Sequence, residues 1–226
     1  MIKIKNLYFS YAKEYFTLNN VNFSLKHNEK AIIVGGKNSG KTSLVRILLG
    51  LDRFQKGEVL INNVDVKKIN FKNDISVGYI PMQPPFMENK TVEENIKYII
   101  KLREKKKDKI EIKLNNSLGH YSLFNIKNVK VNILNYYDKI KLALARLYVR
   151  NLDLIIVDDI FAGLNDNEAE DIAELIKELI KNNNNCTCVI FAENYNIRKY
   201  FDYKTYKLEL GSLIDESVEN GENLWV

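Results

Sequence analysis

Two short stretches of this 226-residue sequence carry side chains suited to polyphosphate chemistry. The first, Gly35-Gly36-Lys37-Asn38-Ser39-Gly40-Lys41-Thr42, fits the spacing G-x-x-x-x-G-K-[ST]. Glycines at these positions let a backbone fold around a polyanion so that successive N–H groups point inward, and the positive end of a following helix adds to the attraction. Lys41 would reach the β- and γ-phosphates, Thr42 would place its hydroxyl on a magnesium ion, and Ser43 completes the set of nucleotide contacts. The second stretch, Leu154-Ile155-Ile156-Val157-Asp158-Asp159, is an apolar run ending in two acids. A buried parallel strand with a charged carboxyl end is where an open α/β sheet binds ligands. Asp158 there can hold magnesium through a water, and Asp159 can take a proton from an attacking water. Together the two stretches predict a site for a nucleoside triphosphate and Mg2+.

The elements that must position these groups are legible nearby. Residues 31–34 (Ala-Ile-Ile-Val) read as a strand and residues 43–49 as a helix, so the glycine-rich segment lies between strand and helix. Residues 140–149 are apolar nearly all round, as in a buried helix leading into the acidic strand. Residues 2–8 and 21–25 alternate like two half-buried strands around an aromatic-rich turn holding Tyr8, Phe9, Tyr11, Tyr15 and Phe16. One exposed ring there could stack on a nucleobase, and Tyr11 is the best placed. Residues 56–63 read as a turn and a strand closing on Asn62-Asn63, and residues 77–80 as another short strand. Pro81, Pro84 and Pro85 then hold an extended loop, in which Gln83 can both donate and accept at a metal or a water. Thr91-Val92-Glu93-Glu94 has the form of a capping box opening a helix. The basic run that follows, Lys101 to Lys109, reads as a solvated helix face, and no nucleic-acid role is expected of it.

Composition sets the outer limits. With 46% hydrophobic residues the chain can bury a sizeable core, and Lys+Arg 34 against Asp+Glu 29 gives only a mild net charge of +5. Asparagine is over-used, as in Asn182 to Asn185, which reads as a solvated loop reflecting coding bias. Cys186 and Cys188 are spaced badly for a disulfide and read as reduced core residues. The start, Met1 to Lys5, alternates like a strand without an apolar signal region, and no apolar run approaches the roughly 20 residues needed to cross a bilayer. A cytoplasmic protein is expected.

On these residues the sequence resembles the ATP-binding subunits of ABC transporters over almost its whole length. Tyr11 stands in the place of the base-stacking aromatic, Gly35 to Thr42 is similar to the Walker A loop, Gln83 to the Q-loop glutamine, and Leu154 to Asp159 to the Walker B strand. Thr91 to Ile96 looks like the opening of the helical subdomain, and Leu142 to Arg146 like the helix after the signature. The resemblance implies an α/β fold of the P-loop NTPase, ABC ATPase type: a mainly parallel core sheet, an antiparallel β-subdomain, and an inserted α-helical subdomain over about 84–148, in one domain spanning 1–226. It also implies ATP and Mg2+ as cofactors, a second ABC ATPase subunit in a homo- or heterodimer with ATP between the Walker A loop of one and the signature of the other, and a membrane permease partner holding the protein at the cytoplasmic face.

Several positions depart from the family pattern. Where the signature Leu-Ser-Gly-Gly-Gln belongs, the chain has Leu134-Asn135-Tyr136-Tyr137-Asp138, so the tyrosines add bulk and Asp138 puts a negative charge near a polyanion. The general-base glutamate is Asp159, one methylene shorter, and the proline after it is Ile160. The D-loop aspartate is Asn165, the switch histidine is Glu193, and a Walker A glycine is Asn38, tolerable because asparagine accepts positive φ better than most residues. What binds Mg-ATP is retained, while what senses or hydrolyses the γ-phosphate is altered. The expected protein is an ATPase with a degenerate site and weak intrinsic hydrolysis, or one whose turnover needs a partner chain with an intact signature. A non-transport regulatory ABC protein is the alternative. A soluble ABC ATPase acting on DNA or ribosomes remains a further class, one less expected because such chains usually carry a long coiled coil or a second nucleotide-binding unit, for which 226 residues with a single phosphate loop leave no room.

Overall fold

A computed structural model describes residues 1–12, 16–71 and 73–216, and Tyr15 lies outside the described residues. Ten strands and five α-helices follow in the order β1 (Ile2–Phe9), β2 (Leu18–Leu25), β3 (Lys30–Val34), α1 (Lys41–Leu48), β4 (Lys56–Ile61), β5 (Val64–Asp65), β6 (Val77–Ile80), α2 (Val92–Lys101), α3 (Lys107–His120), α4 (Tyr136–Tyr148), β7 (Leu154–Asp158), α5 (Asp166–Asn182), β8 (Thr187–Ala192), β9 (Lys204–Glu209) and β10 (Ser212–Asp215). They form two sheets. One has the order β10-β9-β3-β8-β7-β6, parallel except for the edge strand β10; the other, β2-β1-β4-β5, is antiparallel throughout.

The core strands β3, β7 and β8 are almost wholly buried, which is why they read as unbroken apolar runs. On one side of this sheet Leu44, Val45, Ile47 and Leu48 of α1 pack in a single apolar cluster with the inward residues of β1, β2 and β4. On the other side the inward residues of α2, α3, α4 and α5 form the larger cluster. Three of those helices, α2 to α4, lie between β6 and β7.

Local chemistry sets several boundaries. The capping box at Thr91 is formed in both directions: Thr91 Oγ1 accepts from Glu94 N at 3.2 Å, and the Glu94 carboxylate accepts from Thr91 N at 2.9 Å. The basic run does not continue α2, which stops at Lys101; a second helix, α3, starts inside it at Lys107. The expected strand at residues 56–63 is β4 with Asn62 and Asn63 as a hairpin turn, both at positive φ, leading into the short β5. Asparagine takes left-handed positions elsewhere too, within strands at Asn6 and Asn20 and in turns at Asn28, Asn184 and Asn185, which gives the residue a conformational use. Cys186 and Cys188 are buried and unbonded.

Candidate functional site

The phosphate loop runs from the end of β3 to the start of α1. Gly35 must lack a side chain, because a Cβ there would stand 2.5 Å from the Leu208 carbonyl oxygen of β9. Asn38 takes φ 63° and Gly40 φ 105°, so the position where glycine is usual is filled by a residue in the left-handed region. Gly40 caps α1 without a side chain, and the first turn of that helix carries no acid, leaving its opening N–H groups free for an anion. Lys41 is buried; its ammonium donates to the carbonyls of Gly35 and, at 3.1 Å, of Gly36, and lies 3.4 Å from Asp159 Oδ2. Ser39 is buried with its hydroxyl unpaired among the described residues, and Thr42 is exposed on the cleft.

Asp158 ends β7 and is 6% exposed. Its Oδ2 accepts from the Tyr79 hydroxyl at 3.1 Å, an anchor supplied by the neighbouring strand β6, while Oδ1 has no donor among the described residues. Burial pushes the Asp158 carboxyl above the usual range, the Tyr79 bond and Lys41 pull it back, and Asp159 adds to the rise. Asp159 sits in the left-handed region at φ 53°, held by its N–H to the Phe191 carbonyl at 3.1 Å, and its Oδ1 is likewise buried without a donor. Burial raises its carboxyl as well, Lys41 opposes the rise, and Glu193 reinforces it. Two unsatisfied carboxylate oxygens beside a lysine and a hydroxyl are hard donors of the kind that Mg2+ takes, so these residues fit that ion.

A cleft of about 1030 Å³ runs over Gly36 to Ser43, bounded by Tyr11, Phe16, Met82, Asp159 and Glu193. Tyr11 and Phe16 are both exposed, so two rings border the cleft instead of the single one expected. Gln83 is exposed and lines none of it; its neighbour Met82 does. Glu193 also borders a second cavity of about 180 Å³ that shares Asp159 with the cleft.

The altered signature is built into its own chain. Asn135 caps α4, accepting from Asp138 N at 2.7 Å; the Tyr136 hydroxyl donates to the Ile160 carbonyl at 2.9 Å, and the Tyr137 hydroxyl to Asp171 Oδ2 at 2.6 Å. Asp138 pairs with Lys141 at 3.2 Å, and that ammonium lies over the Tyr137 ring. Burial, with Asp159 nearby, pushes the Tyr136 phenol up to about 12. The negative charge of Asp138 is therefore compensated locally, and the tyrosines turn inward. Asn165 is the N-cap of α5 in a second capping box with Glu168.

This arrangement of loop, acidic strand and inserted helices has relatives. The family model for ABC transporters matches residues 18–162. The chain belongs to the ABC transporter family. An ABC transporter ATP-binding protein of Bacillus cereus is 30% identical over 165 residues, 72% of this chain and 29% of that protein. The chain spans only 29% to 38% of the length of the curated Bacillus relatives it matches. An ATP-binding cassette solved as a dimer in a post-hydrolysis state with ADP and phosphate superposes at a TM-score of 0.81, with 23% identity, covering 94% of this chain and 96% of its own. The cbiO1 protein of Clostridium perfringens, part of the ABC transporter complex cbiONQ, gives 0.81 at 20% identity over 99% and 92%. The fold is thus that of an ABC ATPase cassette, α/β with a P-loop, as the sequence predicts.

Sequence reasoning missed Tyr79, Arg46 and Asp52, which fasten Asp158 and Tyr11. Nothing local marks them, since each acts on a residue brought close only by sheet pairing or chain reversal.

Proposed function

We propose that this chain is the ATP-binding subunit of an ABC transporter, one that binds Mg-ATP, couples binding and hydrolysis to a membrane permease, and hydrolyses ATP slowly by itself. The observation that carries the reading is the ion pair of Lys41 with Asp159 next to Asp158, each carboxylate keeping one buried oxygen without a donor among the described residues, at the mouth of the phosphate loop. In this reading the N–H groups from Gly36 to Thr42 hold the phosphates and Lys41 leaves its loop carbonyls for the β- and γ-phosphates. Thr42 and Asp158, with Gln83 once its loop turns inward, hold Mg2+. Held by those residues, Mg2+ would supply neutralisation of the charge on the phosphates. Asp159 receives the proton of the attacking water, and its raised affinity for a proton suits a base. Its shorter side chain leaves it farther from a water than glutamate would be, and Glu193, on the same cleft, sets a negative charge against the phosphates, so both slow turnover.

The inward-turned signature supports a dimer with a different ABC subunit, in which the productive site joins this chain's Walker motifs to the partner's signature. The cbiO1 relative works within a transporter complex, which supports a permease partner here and a place at the cytoplasmic face of the membrane. Among the described residues no helix is long and apolar enough to cross a membrane. Hydrolysis by the isolated chain tests the reading: slow Mg-dependent turnover is expected, and turnover as fast as an ordinary transporter ATPase overturns the asymmetric part of it.

A further inference from the structure

The helix that opens at the phosphate loop also carries, farther along, the fastening of the aromatic ring on the cleft's rim. Ser43 and Arg46 lie three residues apart on α1 and therefore share a face. The Ser43 hydroxyl donates to the Tyr11 hydroxyl oxygen at 3.2 Å, and the Tyr11 hydroxyl donates onward to Asp52 Oδ2 at 3.4 Å. Asp52, just past the end of α1, is gripped by Arg46 through two bonds, Nε to Oδ2 at 2.7 Å and Nη2 to Oδ1 at 2.8 Å. Arg46 thereby presents its planar fork to the carboxylate in two-bond fashion, which fixes the direction of the acceptor as well as its place. The Tyr11 ring packs against buried Phe9 in a T-shaped pair, with centroids 4.7 Å apart and planes at 80°. Held at its hydroxyl and packed against Phe9, the ring is still 67% exposed and borders the cleft above the phosphate loop.

We propose that Asp52 and Arg46 are positioning residues for the nucleobase: through Tyr11 they set the stacking platform at a fixed distance from the phosphate site, both being referred to one helix. The proposal rests on the reading of the cleft as a nucleotide site with Tyr11 as its base platform. Stacking tolerates any base, because every base has a π-face, so the device selects for the presence of a base and not its identity. Its value lies in preorganisation: a ring already placed loses less freedom when the base arrives. At 3.4 Å the bond from Tyr11 to Asp52 is the weakest link, and the Ser43 hydroxyl keeps the ring near its place when that bond is cut. Removal of Asp52 should therefore weaken base binding without abolishing it.

The test is calorimetric binding of Mg-ATP, Mg-GTP and Mg-tripolyphosphate, which has no base, to the full chain and to D52A, R46A, Y11F and Y11A. The wild type should bind both nucleotides at least about tenfold more tightly than tripolyphosphate, an advantage that Y11A removes. D52A and R46A should each lose about three- to fivefold for both nucleotides, Y11F, which also cuts the Ser43 bond, should lose at least as much, and none should lose affinity for tripolyphosphate. Y11F keeps the ring and removes the hydroxyl through which Asp52 and Arg46 act, so full nucleotide affinity in Y11F overturns the proposal even should D52A or R46A fold poorly. Full nucleotide affinity in D52A or in Y11F, with loss in Y11A, overturns the proposal while leaving Tyr11 as the platform. A wild type that binds tripolyphosphate as well as ATP overturns the platform itself. A wild type that binds none of the three overturns the nucleotide reading on which both stand.

Discussion

Replacing Gly163 with alanine puts a methyl group where the Tyr136 ring lies. A Cβ at Gly163 would stand 2.8 Å from Tyr136 Cε1 and 2.9 Å from Cδ1, against 3.4 Å or more for ordinary contact, so the ring must retreat by roughly 0.6 Å. It is not free to do so, because its hydroxyl is anchored to the Ile160 carbonyl at 2.9 Å in the turn between Asp159 and Gly163. Losing that bond costs about 1 kcal/mol and the overpacking about 1–2 kcal/mol, for a total near 2–3 kcal/mol. In a chain of this size that lowers Tm by about 4–12 °C. The sharper measurement is a double-mutant cycle by chemical denaturation. In a Tyr136→Ala background the space is already open, and Gly163→Ala should then cost less than about 0.5 kcal/mol, giving a coupling of about 2 kcal/mol. Additive effects would refute the inward-turned signature, because the ring would then not rest on Gly163.

Three further outcomes follow from the same geometry. The carboxyls of Asp158 and Asp159 bind protons more tightly folded than unfolded, so their stabilising contribution is full below the ordinary value of 3.8 and is lost as pH rises through the folded values. Asp159→Asn should therefore melt higher than the wild type at pH 7 and narrow the gap near pH 4, as thermal melts across pH 4 to 7 would show. Thr91→Ala removes one half of the capping box on α2 and should cost about 1 kcal/mol in denaturant unfolding. Tyr79→Phe takes away the hydroxyl that donates to Asp158 and should weaken magnesium-dependent nucleotide binding while sparing binding without the metal, as paired titrations with and without Mg2+ would show.

Much of the fold could be read from the sequence because its signals are local. The phosphate loop declares itself through glycine spacing within eight residues, β7 through an apolar run that meets two acids, and α2 through a capping box whose two bonds span three residues. What could not be read depends on which elements become neighbours. Tyr79 reaches Asp158 only because β6 and β7 pair in parallel, with Tyr79 opposite Ile156. Helix α3 lay hidden in a lysine-rich stretch because it buries only Ile110, Leu114, Ser117 and Leu118. The tyrosines of the altered signature read as bulk aimed at a phosphate; the structure turns them toward Ile160 and Asp171, positions 24 and 34 residues away in the chain. Gln83 has the side chain for the site, but the proline-rich loop leaves it facing solvent with Met82 on the cleft.

The central claim is tested most directly by titrating Mg-ATP into the purified chain and measuring steady-state hydrolysis in the same preparation, with Lys41→Ala and Asp159→Asn alongside. Binding that Lys41→Ala abolishes, with slow hydrolysis that Asp159→Asn removes, is the predicted result. Unchanged ATP binding in Lys41→Ala, or no binding by the wild type, would contradict the claim.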